Sequence, residues 1–439
     1  MYASSCAIPL LCAVLVSLVG CRRGAPVTSE CTAVQINYHG AEAYRLSNGI
    51  LTVVAVPGLG GRVMSFSLAG RELFFANHDE LAAGPPWQVE GRWRNWGGYK
   101  MWPAPQARWG GPPDPPGGVL DGGAYSAHVE VEPEGRWSAV TMVSERDEVT
   151  GLRFERSLRL EVGSSSALLS QRMANVSEDS VEWSIWDVTQ VPGRGAPGEP
   201  AWVYFQLEGD GGDPGYVLQA GEPDNPTWVP GVAQGVMGVK YTGRVGKIGE
   251  MSRGNWMAFR SGDLVYAKLF PQASPEEVYP DGGVNVEVWS NPDPSYMEME
   301  ILGPLTTLAP GEAADHEQRW LAAVVSRAPV VAVSAEAIAC GPLERATQGD
   351  GVAISGAVGV VRQTTVFVLA TDNSGKWVVL ARQAASPEEP ADLSRLILPP
   401  EVELGRGPVS TADVMLTLCT GTEGGYTLLA VIGPSDPGQ

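Results

Sequence analysis

Apolar and polar residues alternate along this chain in many short runs rather than in long amphipathic stretches. The clearest is Leu152-Arg-Phe-Glu-Arg-Ser-Leu-Arg-Leu-Glu-Val162, charged on one face and mostly apolar on the other, the period-2 signature of a half-buried strand. The same pattern predicts strands at residues 51–56, 63–68, 72–76, 127–131, 138–144, 153–162, 167–175 and 181–190. It predicts more at 203–207, 257–260, 264–270, 284–290, 296–302 and 317–325. No window of about fifteen residues carries a helical apolar stripe, so the chain reads as all-β. The strands before residue 326 are too many for one immunoglobulin-sized sandwich and predict a large double-sheet sandwich over residues 42–328. Beyond Ala328-Pro329, short runs at 330–337, 352–361, 365–370, 377–381, 393–398, 414–419 and 426–432 predict a small C-terminal β-sandwich domain over residues 329–439.

The N-terminus carries a different pattern. Ala7 to Gly20 is an unbroken apolar stretch without charge, too short to span a bilayer and suited to a secretory signal. Its end, Leu18-Val19-Gly20-Cys21, resembles the lipobox of bacterial lipoprotein signal peptides. The resemblance implies a signal peptide over residues 1–20, an acylated Cys21 and a tether over 21–41. It would hold the soluble domains outside the cytoplasm, on a membrane of the bacterial cell envelope. An ordinary cleaved signal peptide is the alternative. Export also frames the cysteines: Cys340 and Cys419 could pair in an oxidising compartment, leaving Cys31 over.

Composition narrows the function. Fifty acidic against 30 basic residues give a formal net charge of −20, a surface that repels phosphate backbones, so no nucleic-acid partner is expected. The 54 Gly and 35 Pro fit a protein of many turns. No P-loop, GxGxxG, HExxH or GxSxG is present, and no Cys or His spacing suggests zinc, so neither cofactor nor metal is expected. The Gly209–Gly215 turn, with its spaced acids, reads as a plain turn rather than a calcium loop.

The most unusual segment runs from Trp87 to Asp121. Trp87, Trp93, Trp96, Trp102 and Trp109 are interleaved there with Gly, Pro and basic residues. An indole face packs on the C–H face of a pyranose, so some of these rings are expected to meet a sugar; the alternative is that they anchor a long loop. In the strand at 296–302, Tyr296, Glu298 and Glu300 share one face. Two carboxylates there would raise each other's pKa if enclosed in a cleft.

Three ordered pieces resemble the galactose-mutarotase-like superfamily, which includes the aldose 1-epimerases. They are Ser47-Asn48-Gly49 with Val56-Pro-Gly-Leu-Gly-Gly-Arg62-Val63, Gly97-Gly-Tyr-Lys100-Met-Trp102-Pro-Ala-Pro-Gln106, and Tyr296-Met-Glu-Met-Glu300-Ile-Leu-Gly-Pro-Leu305 followed by Pro310-Gly-Glu312 and Trp320. The resemblance spans roughly residues 42–326. It implies a β-supersandwich with a carbohydrate cleft on one concave face, a glutamate base at Glu300 and Glu298 beside it. It also implies sugar-binding roles for Arg62, Trp96, Lys100, Trp102, Gln106, Gln190 and Glu287. The histidines that serve as acid in epimerases have no matching motif among His39, His78, His128 and His316. The expected function is therefore an exported carbohydrate-binding protein, acting on a sugar if a cleft carboxylate serves as base. The alternative is a non-catalytic structural or adhesion lipoprotein.

Overall fold

The computed structural model describes residues 30–87, 93–109, 118–195, 199–207, 216–252, 254–371, 377–404, 407–411, 413–422 and 425–432. Cys21, the apolar leader and the acidic turn at 209–215 lie outside them. Among the described residues no helix is long and apolar enough to cross a membrane. The two α-helices described, His78–Leu81 and Val119–Gly122, are single turns of four residues.

The strands form two large antiparallel sheets. The first runs, edge to edge, through Thr32–Tyr38, Ala41–Ser47, Leu51–Val56, Arg62–Leu68, Tyr99–Ala104, Val181–Pro192, Tyr296–Leu302, Val286–Asn291, Gly246–Glu250 and Val217–Ala220. The second runs from Trp228–Ala233 through Val236–Lys240, Trp202–Gln206, Trp256–Ser261, Leu264–Leu269, Ala313–Val324, Ser166–Asn175, Leu152–Glu161 and Trp137–Ser144 to Tyr125–Val131. Alternate residues of both sheets face each other in one continuous core. At its centre Phe66, Phe74, Tyr99, Tyr266 and Trp320 pack with ring centroids 5.0 to 5.9 Å apart, mostly edge to face.

Residues 32–41, expected as part of a tether, instead form the hairpin at the edge of the first sheet. Its two turn residues, His39 and Gly40, both take positive φ (50° and 89°), the geometry that matches strand twist in a two-residue hairpin. The C-terminal segment builds four smaller sheets around its own core of Val358, Val366, Val368, Leu416 and Leu418. It docks on the outer face of the second large sheet through Val330, Ile338, Cys340 and Val361 against Tyr204, Trp256 and Leu321. The suggested Cys340–Cys419 bridge is absent because the two thiols face different surroundings. Cys340 sits in that junction, Cys419 packs on Phe367 and Leu369, and both are free and buried.

Candidate functional site

The middle of the first sheet has two chemically different faces. Tyr99, Met101, Val286, Val288, Met297, Met299 and Ile301 point into the core. Alternation sends their neighbours to the other side. Cross-strand register then aligns Lys100, Val188, Glu300, Glu287 and Gly249 in one row, and Gln190, Glu298, Trp289 and Lys247 in the next. Two glutamates directly opposite each other, Glu287 and Glu300, would destabilise the sheet by repulsion. Lys247 removes that conflict: its Nζ lies 2.6 Å from Glu287 Oε2 and 3.0 Å from Glu300 Oε2.

Above these rows lies a cleft of about 320 Å³, walled by Trp93, Trp102, Trp186 and Trp289 and floored by Lys100, Lys247, Glu298 and Glu300. Gln106, Asn291 and Tyr296 complete its rim. Lys100 Nζ is 3.2 Å from Glu298 Oε1 and 3.5 Å from the centre of the Trp102 ring, a cation held between a carboxylate and an aromatic face. Gln190 Nε2 donates to the same Glu298 oxygen at 2.8 Å. Trp186 Nε1 donates to Glu300 Oε2 at 2.9 Å, whereas Glu300 Oε1 is buried without a hydrogen-bond partner.

The electrostatics follow from burial and like charge. Burial, with Glu287 and Glu298 adding repulsion, pushes the Glu300 carboxyl well above the usual range, although Lys247 pulls the other way. For Lys247 burial disfavours the cation, but Glu300 and Glu287 outweigh it and the ammonium is raised. Lys100 is lowered: burial outweighs the attraction of Glu298. Among the described residues no three His, Cys, Asp or Glu side chains come together to hold a metal ion.

The expected residues separate into three groups. Lys100, Trp102, Gln106, Glu298 and Glu300 line the cleft. Gln190 and Glu287 are fully buried and act through neighbours, Gln190 on Glu298 and Glu287 on Lys247. Arg62 and Trp96 do not reach the cleft. Arg62 is fully buried, donating to Gly97 O at 3.1 Å and ion-paired with Asp121 at 2.5 Å. Trp96 is 3% exposed and packs with Val56, Leu59, Met64 and Trp87. Of the five loop indoles only Trp93 and Trp102 line the cleft, so most of the segment is anchor. Gly97 and Gly98 let it pass close to Phe75 and Val63: with φ of +90° and +70°, a Cβ there would sit 2.3 Å from Phe75 O and 2.5 Å from Val63 O.

Sequence reasoning missed Lys247, Trp289 and Asp121. Asp121 organises the indole wall, taking Trp102 Nε1–H at 2.8 Å on one oxygen, alongside Arg62, and Trp93 Nε1–H at 3.2 Å on the other. Trp186 was within reach of the pattern, since it has the same strand parity as Gln190. Lys247 had no signal, lying in the five-residue strand Gly246-Lys-Ile-Gly-Glu250.

The profile of a domain of unknown function (DUF4380) matches residues 121–323. No curated protein matches the chain. Among solved structures it is similar to a protein of Synechocystis sp. PCC 6803, at 14% identity and a TM-score of 0.45, over 65% of this chain and 96% of that one. It is also similar to a galactose mutarotase-like protein of Clostridium acetobutylicum, at 11% identity and a TM-score of 0.43, over 67% and 99%. A galactose mutarotase related enzyme of Lactobacillus acidophilus matches at 11% identity and a TM-score of 0.41, over 64% and 97%.

Proposed function

We propose that the indole-walled cleft binds a carbohydrate and that Glu300 is its proton-transferring carboxyl. The observation that carries this reading is the unpartnered Glu300 Oε1, buried at the floor of a cleft whose walls are tryptophan and whose other floor groups are paired. A sugar ring offers both faces such a site needs: C–H groups for the indoles and hydroxyls for the unpartnered Glu300 oxygen. Interconversion of anomers requires a base at the anomeric hydroxyl and an acid at the ring oxygen. A carboxyl that burial makes more basic than an ordinary glutamate suits the first role. Lys100, lowered by burial, suits the second better than an ordinary lysine does. Glu298 and Gln190 hold Lys100 in place, and Lys247 with Glu287 does the same for Glu300. The lipobox-like Cys21 extends the proposal to an exported, membrane-anchored protein.

The test is a thermal-shift and NMR screen of the purified full-length chain against monosaccharides, with anomeric exchange read in the same samples. Sugar-dependent stabilisation together with faster exchange, lost in Glu300→Gln, is the expected result. Stabilisation without faster exchange would leave a carbohydrate-binding protein that is not an epimerase. Absence of any response would favour a structural or adhesion role.

A further inference from the structure

The cleft does not end at Trp289. A second cavity of about 620 Å³ adjoins the first, and the two share Gln106, Trp186, Lys247 and Trp289 as common walls. They are two lobes of one groove along the outer face of the sheet. Pockets that enclose a whole small ligand hold about 300–1,000 Å³. The smaller lobe already meets that range, and the larger therefore offers space that one sugar ring in the smaller lobe leaves unused.

The larger lobe is also chemically equipped. Its walls are the same two indoles, Trp186 and Trp289, and small side chains at Ala107 and Ala220 leave room beside them. Asp281 lines this lobe alone, and among the described residues its carboxylate has no hydrogen-bond or ion-pair partner. The Asp281 backbone takes φ of +52°, in the left-handed region that a non-glycine residue rarely adopts. Gln219 ties this strained turn to the first lobe, its Nε2 donating to Asp281 O at 3.1 Å and to Glu287 Oε1 at 2.5 Å. Burial and the nearby Glu287 hold the Asp281 carboxyl up at about 6 against the pull of Lys247, so at neutral pH it is an acceptor for hydroxyl groups.

We propose that the groove takes the end of a carbohydrate chain of at least two residues, the terminal ring resting on Glu298 and Glu300 and the next lying between Trp289 and Asp281. The proposal rests on the carbohydrate reading of the smaller lobe and adds the length of the ligand to it. One ring would leave Asp281 and the far side of Trp289 unused; a second occupies both.

Isothermal titration of the full-length chain tests it, with glucose and galactose against cellobiose, maltose, lactose and the cello- and malto-trioses. At least one oligosaccharide is expected to bind tenfold or more tightly than its own monosaccharide. Ala220→Trp, which fills the larger lobe, should erase that gain without weakening the monosaccharide, and Asp281→Asn should reduce it. Monosaccharide binding with no gain from a second ring would overturn the proposal and leave the carbohydrate reading standing. So would a gain that survives both substitutions; Asp281→Asn, close to isosteric, keeps this readable if Ala220→Trp fails to fold. Failure of every sugar to bind the folded chain would overturn the carbohydrate reading and the two-ring proposal together.

Discussion

The first sheet carries a lysine–carboxylate system on each of its faces around the strand Val181–Pro192, and the two are built to opposite ends. On the inner face Asp187 pairs with Lys268, which reaches across from the second sheet; both side chains are fully buried. The pair itself is met by further groups of the protein. Gln171 Nε2 donates to Asp187 at 3.1 Å and to Tyr99 OH at 2.8 Å, and Lys268 also donates to Met299 O at 3.1 Å. Burial drives the pair toward neutrality, Asp187 upward and Lys268 downward, each against the other's charge. His316, hydrogen-bonded to Gln171, is lowered to about 4 by burial and the nearby Lys268, and is neutral at physiological pH. On the outer face Lys100–Glu298 and Lys247–Glu300 line a cleft, and one buried Glu300 oxygen there is left without a hydrogen-bond partner. A closed network fastens two sheets together. An open one has capacity left for a ligand.

The largest effect that separates them concerns stability. Asp187→Leu leaves Lys268 unpaired between the sheets and should cost about 4 kcal/mol in urea denaturation, while adding Lys268→Met should restore most of it. On the cleft side Glu300→Gln keeps the side-chain volume and an acceptor for Trp186. It should change stability by less than about 1 kcal/mol, yet slow sugar-anomer exchange about a hundredfold in the NMR assay. Trp289→Ala should weaken sugar affinity by about 1 kcal/mol, the worth of one aromatic contact, as read by titration calorimetry.

A further effect is a pH dependence. Asp281 is raised from 3.8 to about 6, burial being the main cause, so the folded chain binds its proton more tightly than the unfolded chain does. Its contribution to stability is complete below about pH 4 and is lost as pH rises through about 6. Melting temperatures of wild type should therefore fall relative to Asp281→Asn across that window and run parallel above it.

Much of the cleft was legible because strand parity is simple. The strand Tyr296–Leu302 was read at its observed bounds, and its alternation alone put Glu298 and Glu300 on one face. The strand Tyr99–Ala104 was read as part of a Gly- and Pro-rich loop because the segment around it shows no apolar period, and Pro103 lies inside it. Pro is tolerated there because the strand pairs with Arg62–Leu68 only at Val63–Tyr99, and the Pro103 carbonyl takes the Trp109 indole N–H at 2.9 Å on the open edge. Arg62 suggested a ligand contact because its partner is 59 residues away and sequence spacing cannot show a buried ion pair with Asp121. Lys247 was invisible for a related reason: its importance comes from two glutamates on other strands, which only the register brings to it.

The claim that the outer network is the working one is tested most directly by a carbon-detected NMR titration of the Glu300 carboxyl, with and without the tightest-binding sugar. Glu300 should titrate well above an ordinary glutamate and shift when sugar is added, while the Asp187 signal stays unmoved. A Glu300 that titrates in the ordinary range and ignores every sugar would contradict the account.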